Sequence, residues 1–158
     1  MQRRVWLSRV AGVAAGLAAA VPGLARDRGG RAQFIGGTVE DLPVGAQGAL
    51  FTTHRTNFHF ATKKTTLAVP YDRINLLEYG QKVDRRYLAA VLLSPLFLLS
   101  KSRRHFLTLG YVDDRGDQQA LVFQVEKGDV RVVLASLEAR TGVKVTFQDE
   151  EARKAGKG

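Results

Sequence analysis

Short runs in which apolar and polar residues alternate recur through the middle of this chain and constrain its fold more than any other feature. A strand places successive side chains on opposite faces, so this period predicts half-buried β-strands. The runs cover residues 48–53, 57–62, 65–70, 71–80, 104–112 and 119–125. The first three are joined by short polar turns and predict an antiparallel meander. The last two predict a hairpin that turns through residues 113–117.

One amphipathic helix is predicted over residues 129–141. Asp129 is a residue type that caps helix N-termini, and Gly142 suits the position just after a helix. The apolar residues at helical spacing are Val130, Val133, Leu134 and Leu137. Residues 143–147 predict one more short strand, and the charged tail 148–158 is expected to fray.

About six short strands followed by one helix predict a mainly β (α+β) fold. We expect a curled antiparallel sheet or split barrel, with the C-terminal helix covering an open end or face. A single domain is predicted over residues 33–147, after a charged, glycine-containing linker at 26–32. The chain of 158 residues leaves no room for a second domain of ordinary size.

The layout resembles the pleckstrin-homology and GRAM-like superfamily of small barrels. The resemblance covers about residues 45–147 and rests on the meander at 48–70, the run at 69–74 and the helix end at 137–142. It implies a module that binds lipids, peptides or neighbouring domains. Lipid-binding members carry several basic residues around the first hairpin, whereas this turn has only Arg55, so phosphoinositide binding is not implied.

The composition excludes several kinds of chemistry. The chain has no cysteine, so disulfides, thiolate metal sites and a cysteine nucleophile are excluded. Its formal net charge is +9, but the basic residues are scattered and the usual nucleic-acid motifs are missing, so we do not expect nucleic acid as a partner.

Residues 1–25 are predicted to be an export signal. Arg3 and Arg4 form a basic start, an apolar stretch follows over residues 10–24, and cleavage is expected after Ala25. That stretch is shorter than the roughly 20 residues that cross a bilayer, so cleavage is favoured over an uncleaved anchor. An ordinary secretory signal and a twin-arginine signal both fit. The mature protein is therefore expected in the periplasm, elsewhere in the cell envelope or outside the cell.

An apolar insertion over residues 84–101 interrupts the strand pattern. From Tyr87 to Leu99, thirteen residues carry no charge, and Pro95 ends or kinks any helix that Asp84 caps. The insertion has three possible covers: the protein's own core, a membrane surface, or a protein partner, which includes a second copy. Short apolar runs usually lie in the core, so the protein's own core is the favoured cover, and the basic flanks support an anionic membrane surface as the next. The residues predicted to make a membrane or partner contact are Arg85, Arg86, Leu88, Leu92, Leu96, Phe97, Lys101, Arg103 and Arg104.

A second hypothesis assigns chemistry to the polar residues His54, His59 and Asp72. They would serve a small envelope enzyme or a metal-dependent hydrolase. A metal site needs three or four converging ligands, and His105 is distant in sequence, so ordinary surface histidines are favoured. The sequence assigns no catalytic residue, metal, cofactor or small-molecule ligand. We therefore predict a binding module that is not an enzyme.

Overall fold

A computed structural model describes residues 28–81 and 104–157 of the chain. Within these ranges it has eight strands and two α-helices, which confirms the predicted mainly β class. The strands are β1 (Gly30–Gly37), β2 (Gln47–Phe51), β3 (Asn57–Thr62), β4 (Thr66–Pro70), β5 (Ile74–Gly80), β6 (His105–Val112), β7 (Gln118–Val125) and β8 (Val145–Phe147). The helices are α1 (Val130–Thr141) and α2 (Glu150–Lys157), and a short 3-10 turn, Tyr71–Arg73, joins β4 to β5.

The strands form one sheet in the order β4-β3-β2-β1-β7-β6-β5-β8. Neighbours are antiparallel except for β5 and β8, which run parallel from the Leu77–Val145 pair to the Tyr79–Phe147 pair. The predicted antiparallel sheet therefore ends in one parallel pair at this edge, so the observed sheet is mixed. The sheet does not close into a barrel, so of the two predicted forms the curled open sheet is the one observed.

The predicted meander and hairpin are confirmed. Strands β2, β3 and β4 pair in sequence, and β6 pairs with β7 along its full length. The turn between β6 and β7 is closed by Asp113, whose carboxylate accepts hydrogen bonds from the backbone N–H groups of Arg115 and Asp117, both at 2.9 Å. Gly116 in the same turn has a φ of +87°, which a glycine adopts without strain. The alternating pattern and the turn residues therefore specify these elements correctly.

Strand β1 was not predicted as a strand, and it begins at Gly30, inside the segment that the sequence assigns to a linker. It lies in the middle of the sheet, between β2 and β7. Its glycines weaken the strand signal, but close packing requires them. A Cβ on Gly30 would lie 2.4 Å from Cγ2 of Val133, and one on Gly37 would lie 2.6 Å from the carbonyl oxygen of Ala120.

The core lies between one face of the sheet and the helices, and we call this face the inner face. Strand alternation places Phe58, Phe60, Leu107 and Phe123 on it, all with no exposed surface. The ring of Phe60 lies 4.9 Å from that of Phe123. Helix α1 packs on this core through its predicted apolar residues Val130, Val133, Leu134 and Leu137. We call the opposite face of the sheet the outer face.

Helix α1 begins and ends where the sequence predicts. Gly142 has a φ of +72° and donates its N–H to the carbonyl of Glu138, 2.9 Å away. Asp129 lies at the N-cap position, but its side chain does not cap the helix. Its carboxylate instead accepts the backbone N–H of Arg31 at 2.9 Å, which ties the start of α1 to β1.

The tail was expected to fray, but residues 150–157 form helix α2. The carboxylate of Asp149 accepts the N–H of Ala152 at 2.6 Å and so caps this helix. Ala152 and Gly156, one helical turn apart, are buried, and a Cβ on Gly156 would lie 2.5 Å from the ring of Phe147. These small residues allow close packing. Because most residues of the tail are charged, its sequence gives little sign of this contact.

Candidate interaction surface

The described residues on either side of the apolar insertion meet at one end of the sheet. Strands β5 and β6 are antiparallel neighbours, and Gly80, the last residue of β5, pairs with Phe106 near the start of β6. The chain between Gln81 and Arg104 therefore leaves and re-enters the sheet at adjacent positions. Of the nine residues predicted to make a membrane or partner contact, only Arg104 lies within the described residues. Those that lie outside them are Arg85, Arg86, Leu88, Leu92, Leu96, Phe97, Lys101 and Arg103.

Arg104 is half-buried at the edge of a polar row on the outer face. Its guanidinium donates a hydrogen bond to Oε1 of Gln124, 2.9 Å away. The register places Gln47, Gln33 and Gln124 side by side on β2, β1 and β7. A shallow cavity of about 310 Å³ lies over this row. The side chains that line this cavity carry both hydrogen-bond donors and hydrogen-bond acceptors, so this part of the outer face is polar.

The centre of the outer face is buried and apolar. Ile35 and Val122 have no exposed surface, and Phe106 is 7% exposed, yet none of the three belongs to the inner core cluster. Glu78 is also buried here, and Nε2 of Gln148 donates a hydrogen bond to its carboxylate at 3.1 Å. The centre of this face is therefore not a free surface for an external partner.

A buried phenol and an imidazole meet on the inner side of the β5–β6 pair. The Tyr79 hydroxyl lies 2.5 Å from Nδ1 of His105, and the two rings are nearly parallel. Burial raises the pKa of Tyr79 to about 12, with a smaller contribution from Asp149. Burial, with Lys127, lowers the pKa of His105, against a smaller opposing effect of Glu126. Both side chains are therefore hydrogen-bonded to each other in a partly buried site.

Sequence reasoning missed this pair because the two residues are far apart along the chain. The signal was present in the strand pattern. Tyr79 pairs with Leu107, and His105 lies two residues before Leu107, on the same face of β6. Once β5 and β6 are placed side by side, the two side chains must be neighbours.

The structure brings His54 and His59 together but gives them a structural role. Their ring centroids are 4.8 Å apart. Nδ1 of His54 accepts weak hydrogen bonds from the backbone N–H groups of Thr56 and Asn57, at 3.4 and 3.3 Å, and so closes the turn before β3. Asp72 is exposed in the 3-10 turn. Among residues 28–81 and 104–157, no three His, Asp or Glu side chains are grouped to hold a metal ion.

Two further observations concern a possible membrane span and the similarity of the chain to known proteins. None of the helices in residues 28–81 and 104–157 is long and apolar enough to cross a membrane. Comparison with protein-family models and with curated proteins finds no match to the chain.

Proposed function

We propose that this protein is an exported, non-catalytic binding module that binds an anionic membrane surface through residues 85–104. One observation carries the proposal: Gly80 pairs with Phe106, so both flanks of the apolar insertion start from one end of the sheet. The sequence carries basic residues on both sides of the apolar run, at Arg85 and Arg86 before it and at Lys101, Arg103 and Arg104 after it.

The charge of this excursion supports an anionic surface as the partner. Residues 82–104 contain six basic residues and one acidic residue, Asp84. Each Lys or Arg near an anionic bilayer contributes about 1 kcal/mol, and the effect falls off within a Debye length. The uncharged run from Tyr87 to Leu99 is short for a bilayer span but long enough to enter the interface.

The fold and the polar clusters support binding rather than catalysis. The mainly β sheet and the helix α1 that covers it fit the layout on which the resemblance to pleckstrin-homology and GRAM-like domains rests. His54 is engaged in closing its turn, and Tyr79 is engaged with His105. The predicted export signal at residues 1–25 would deliver the module to the outer surface of the inner membrane.

Vesicle flotation of residues 26–158 tests the proposal. At low salt, we expect the protein to float with vesicles containing phosphatidylglycerol and not with pure phosphatidylcholine. A variant with Arg85, Arg86, Lys101 and Arg103 all changed to Ala should lose most of this binding. The matched control changes four exposed basic residues elsewhere to Ala: Arg115, Lys127, Arg131 and Lys144. Absence of binding by the unmodified protein, or equal loss in both variants, would refute the proposal.

A second variant separates a membrane contact from a core role for the apolar run. We expect Leu92→Asp with Phe97→Asp to remain folded by circular dichroism and to lose flotation. If this variant instead unfolds, the run belongs to the protein's own core, because a buried unpaired charge is strongly destabilising. Retained flotation by a folded variant would leave only the basic flanks as the contact.

A further inference from the structure

Among the described strands, β4 lies at one edge of the sheet. It stands at the end of the strand order, with β3 as its neighbour in the described part of the chain. Thr66 and Ala68 are exposed, so the edge is accessible. An accessible edge of this kind is a template for pairing with another strand.

The register identifies which backbone groups face outward from this edge. At one end of the β3–β4 ladder, the N–H of Thr62 donates to the carbonyl of Thr65, and at the other end the N–H of Tyr71 donates to the carbonyl of Thr56. Hydrogen-bonded positions alternate along an antiparallel pair. Thr66, Ala68 and Pro70 therefore direct their backbone groups away from β3. Pro70 fits this alternation, because proline has no backbone N–H and this position does not donate one to β3.

The two ends of β4 carry opposite charge. The turn before it contains the exposed residues Lys63 and Lys64, and the 3-10 turn after it contains the exposed Asp72. Asp114 lies near the same end, where it is ion-paired with Arg73. A groove of about 290 Å³ beside Ala68 and Pro70 is also lined by Asp113 and Asp114, which add to the negative charge at this end.

We propose that two copies of this protein pair through β4, antiparallel about a two-fold axis at Ala68. The N–H of Ala68 then donates to the carbonyl of Ala68 in the second copy, and the same bond forms in the opposite direction. The N–H of Thr66 bonds to the carbonyl of Pro70 in the second copy, so four hydrogen bonds form across the axis. The same register brings Lys64 level with Asp72 of the second copy. The small side chain of Ala68 allows the close approach.

Analytical ultracentrifugation of residues 26–158 over a dilution series tests this interface. We expect a monomer–dimer equilibrium in the unmodified protein. Lys64→Asp should raise the dimer dissociation constant about tenfold, because it places like charges opposite each other twice. Asp72→Lys should do the same, and the double exchange should restore most of the affinity. Lys144→Asp, near the other edge of the sheet, is the matched control and should change nothing.

Ala68→Pro gives an independent test of the hydrogen bonds. It removes an outward N–H that β3 does not use, and it should abolish the dimer while the monomer stays folded. If this variant does not fold, the charge exchange decides alone. A purely monomeric protein, or a dimer insensitive to the charge changes, would overturn the proposal.

Discussion

The hydroxyl of Tyr79 on β5 is hydrogen-bonded to Nδ1 of His105 on β6, at 2.5 Å, where the inner face reaches the start of β6. Phe147 on β8 packs edge-on against the same phenol ring, with centroids 6.0 Å apart. One buried tyrosine therefore contacts both strands that flank β5. This contact makes the β5 region sensitive to both substitution and pH.

Tyr79→Phe should lower the free energy of unfolding by about 1 to 2 kcal/mol, because it removes one buried hydrogen bond and leaves Nδ1 of the imidazole without its partner. Urea unfolding measures the change. Tyr111→Phe is the matched control, because Tyr111 is buried on β6 and its hydroxyl has no protein hydrogen bond in the described residues. Equal losses in the two variants would contradict a specific role for the Tyr79–His105 contact.

Acidification should destabilise the protein through His105. Its pKa in the folded state lies below the ordinary 6.5, chiefly because of burial, so the unfolded chain binds the proton more readily. Stability from this group is complete above about pH 6.5 and is lost as the pH falls through the lowered value. The urea midpoint measured against pH should fall less steeply below 6.5 in His105→Gln than in the unmodified protein. Identical slopes would show that His105 does not contribute.

Alkaline conditions should destabilise the protein through Tyr79. Its pKa is raised from 10 to about 12, so the unfolded chain loses the phenol proton first. The contribution is complete below pH 10 and is lost as the pH rises toward 12. Denaturant unfolding between these values should show a steeper loss in the unmodified protein than in Tyr79→Phe. A steeper loss in the variant is the contrary result.

Gly48→Ala should destabilise the β2–β3 pair by about 1 to 3 kcal/mol, as overpacked sites do. A Cβ at this position would lie 2.2 Å from the carbonyl oxygen of Ala61, and a backbone atom cannot move aside cheaply. Thermal unfolding measures the effect. Gly128→Ala, which meets nothing within 4 Å, is the control and should be close to neutral.

Arg140→Ala should loosen the turn between β2 and β3. The guanidinium donates to the carbonyls of His54 and Thr53, at 3.0 and 3.3 Å, and lies over the ring of Tyr71. Hydrogen exchange at residues 53–57 should speed up, and Arg140→Lys should not restore protection, because an ammonium cannot reproduce the planar fork. Arg131→Ala, exposed on the same helix, should leave this exchange unchanged.

Much of the sheet was predictable because its strands are short runs rich in β-branched and aromatic residues, separated by polar turns. The valines and leucines of α1 occupy the predicted positions, and Gly142 ends the helix as expected. Strand β1 was missed because Gly30, Gly36 and Gly37 have low strand propensity, while their value depends on neighbours distant in sequence. The sequence pattern does not predict helix α2, because its buried residues, Ala152 and Gly156, are small and give only a weak apolar signal.

The candidate surface was predictable only in part. The charge and the apolar run are visible in the sequence, and both point to residues 85–104. That the described chain leaves and re-enters the sheet at one end depends on the Gly80–Phe106 pair, which the interrupted strand pattern does not predict. The Tyr79–His105 contact likewise requires the pairing of two strands separated by the insertion. Local periodicity identifies elements but does not choose their neighbours.

The central position of β1 has a consequence for how the chain is made. This strand is synthesised first among those described, but one of its two neighbours, β7, comes almost last. Until β7 emerges, the halves of the sheet on either side of β1 cannot be joined. A nascent chain is thereby held short of its final shape until β7 has been made.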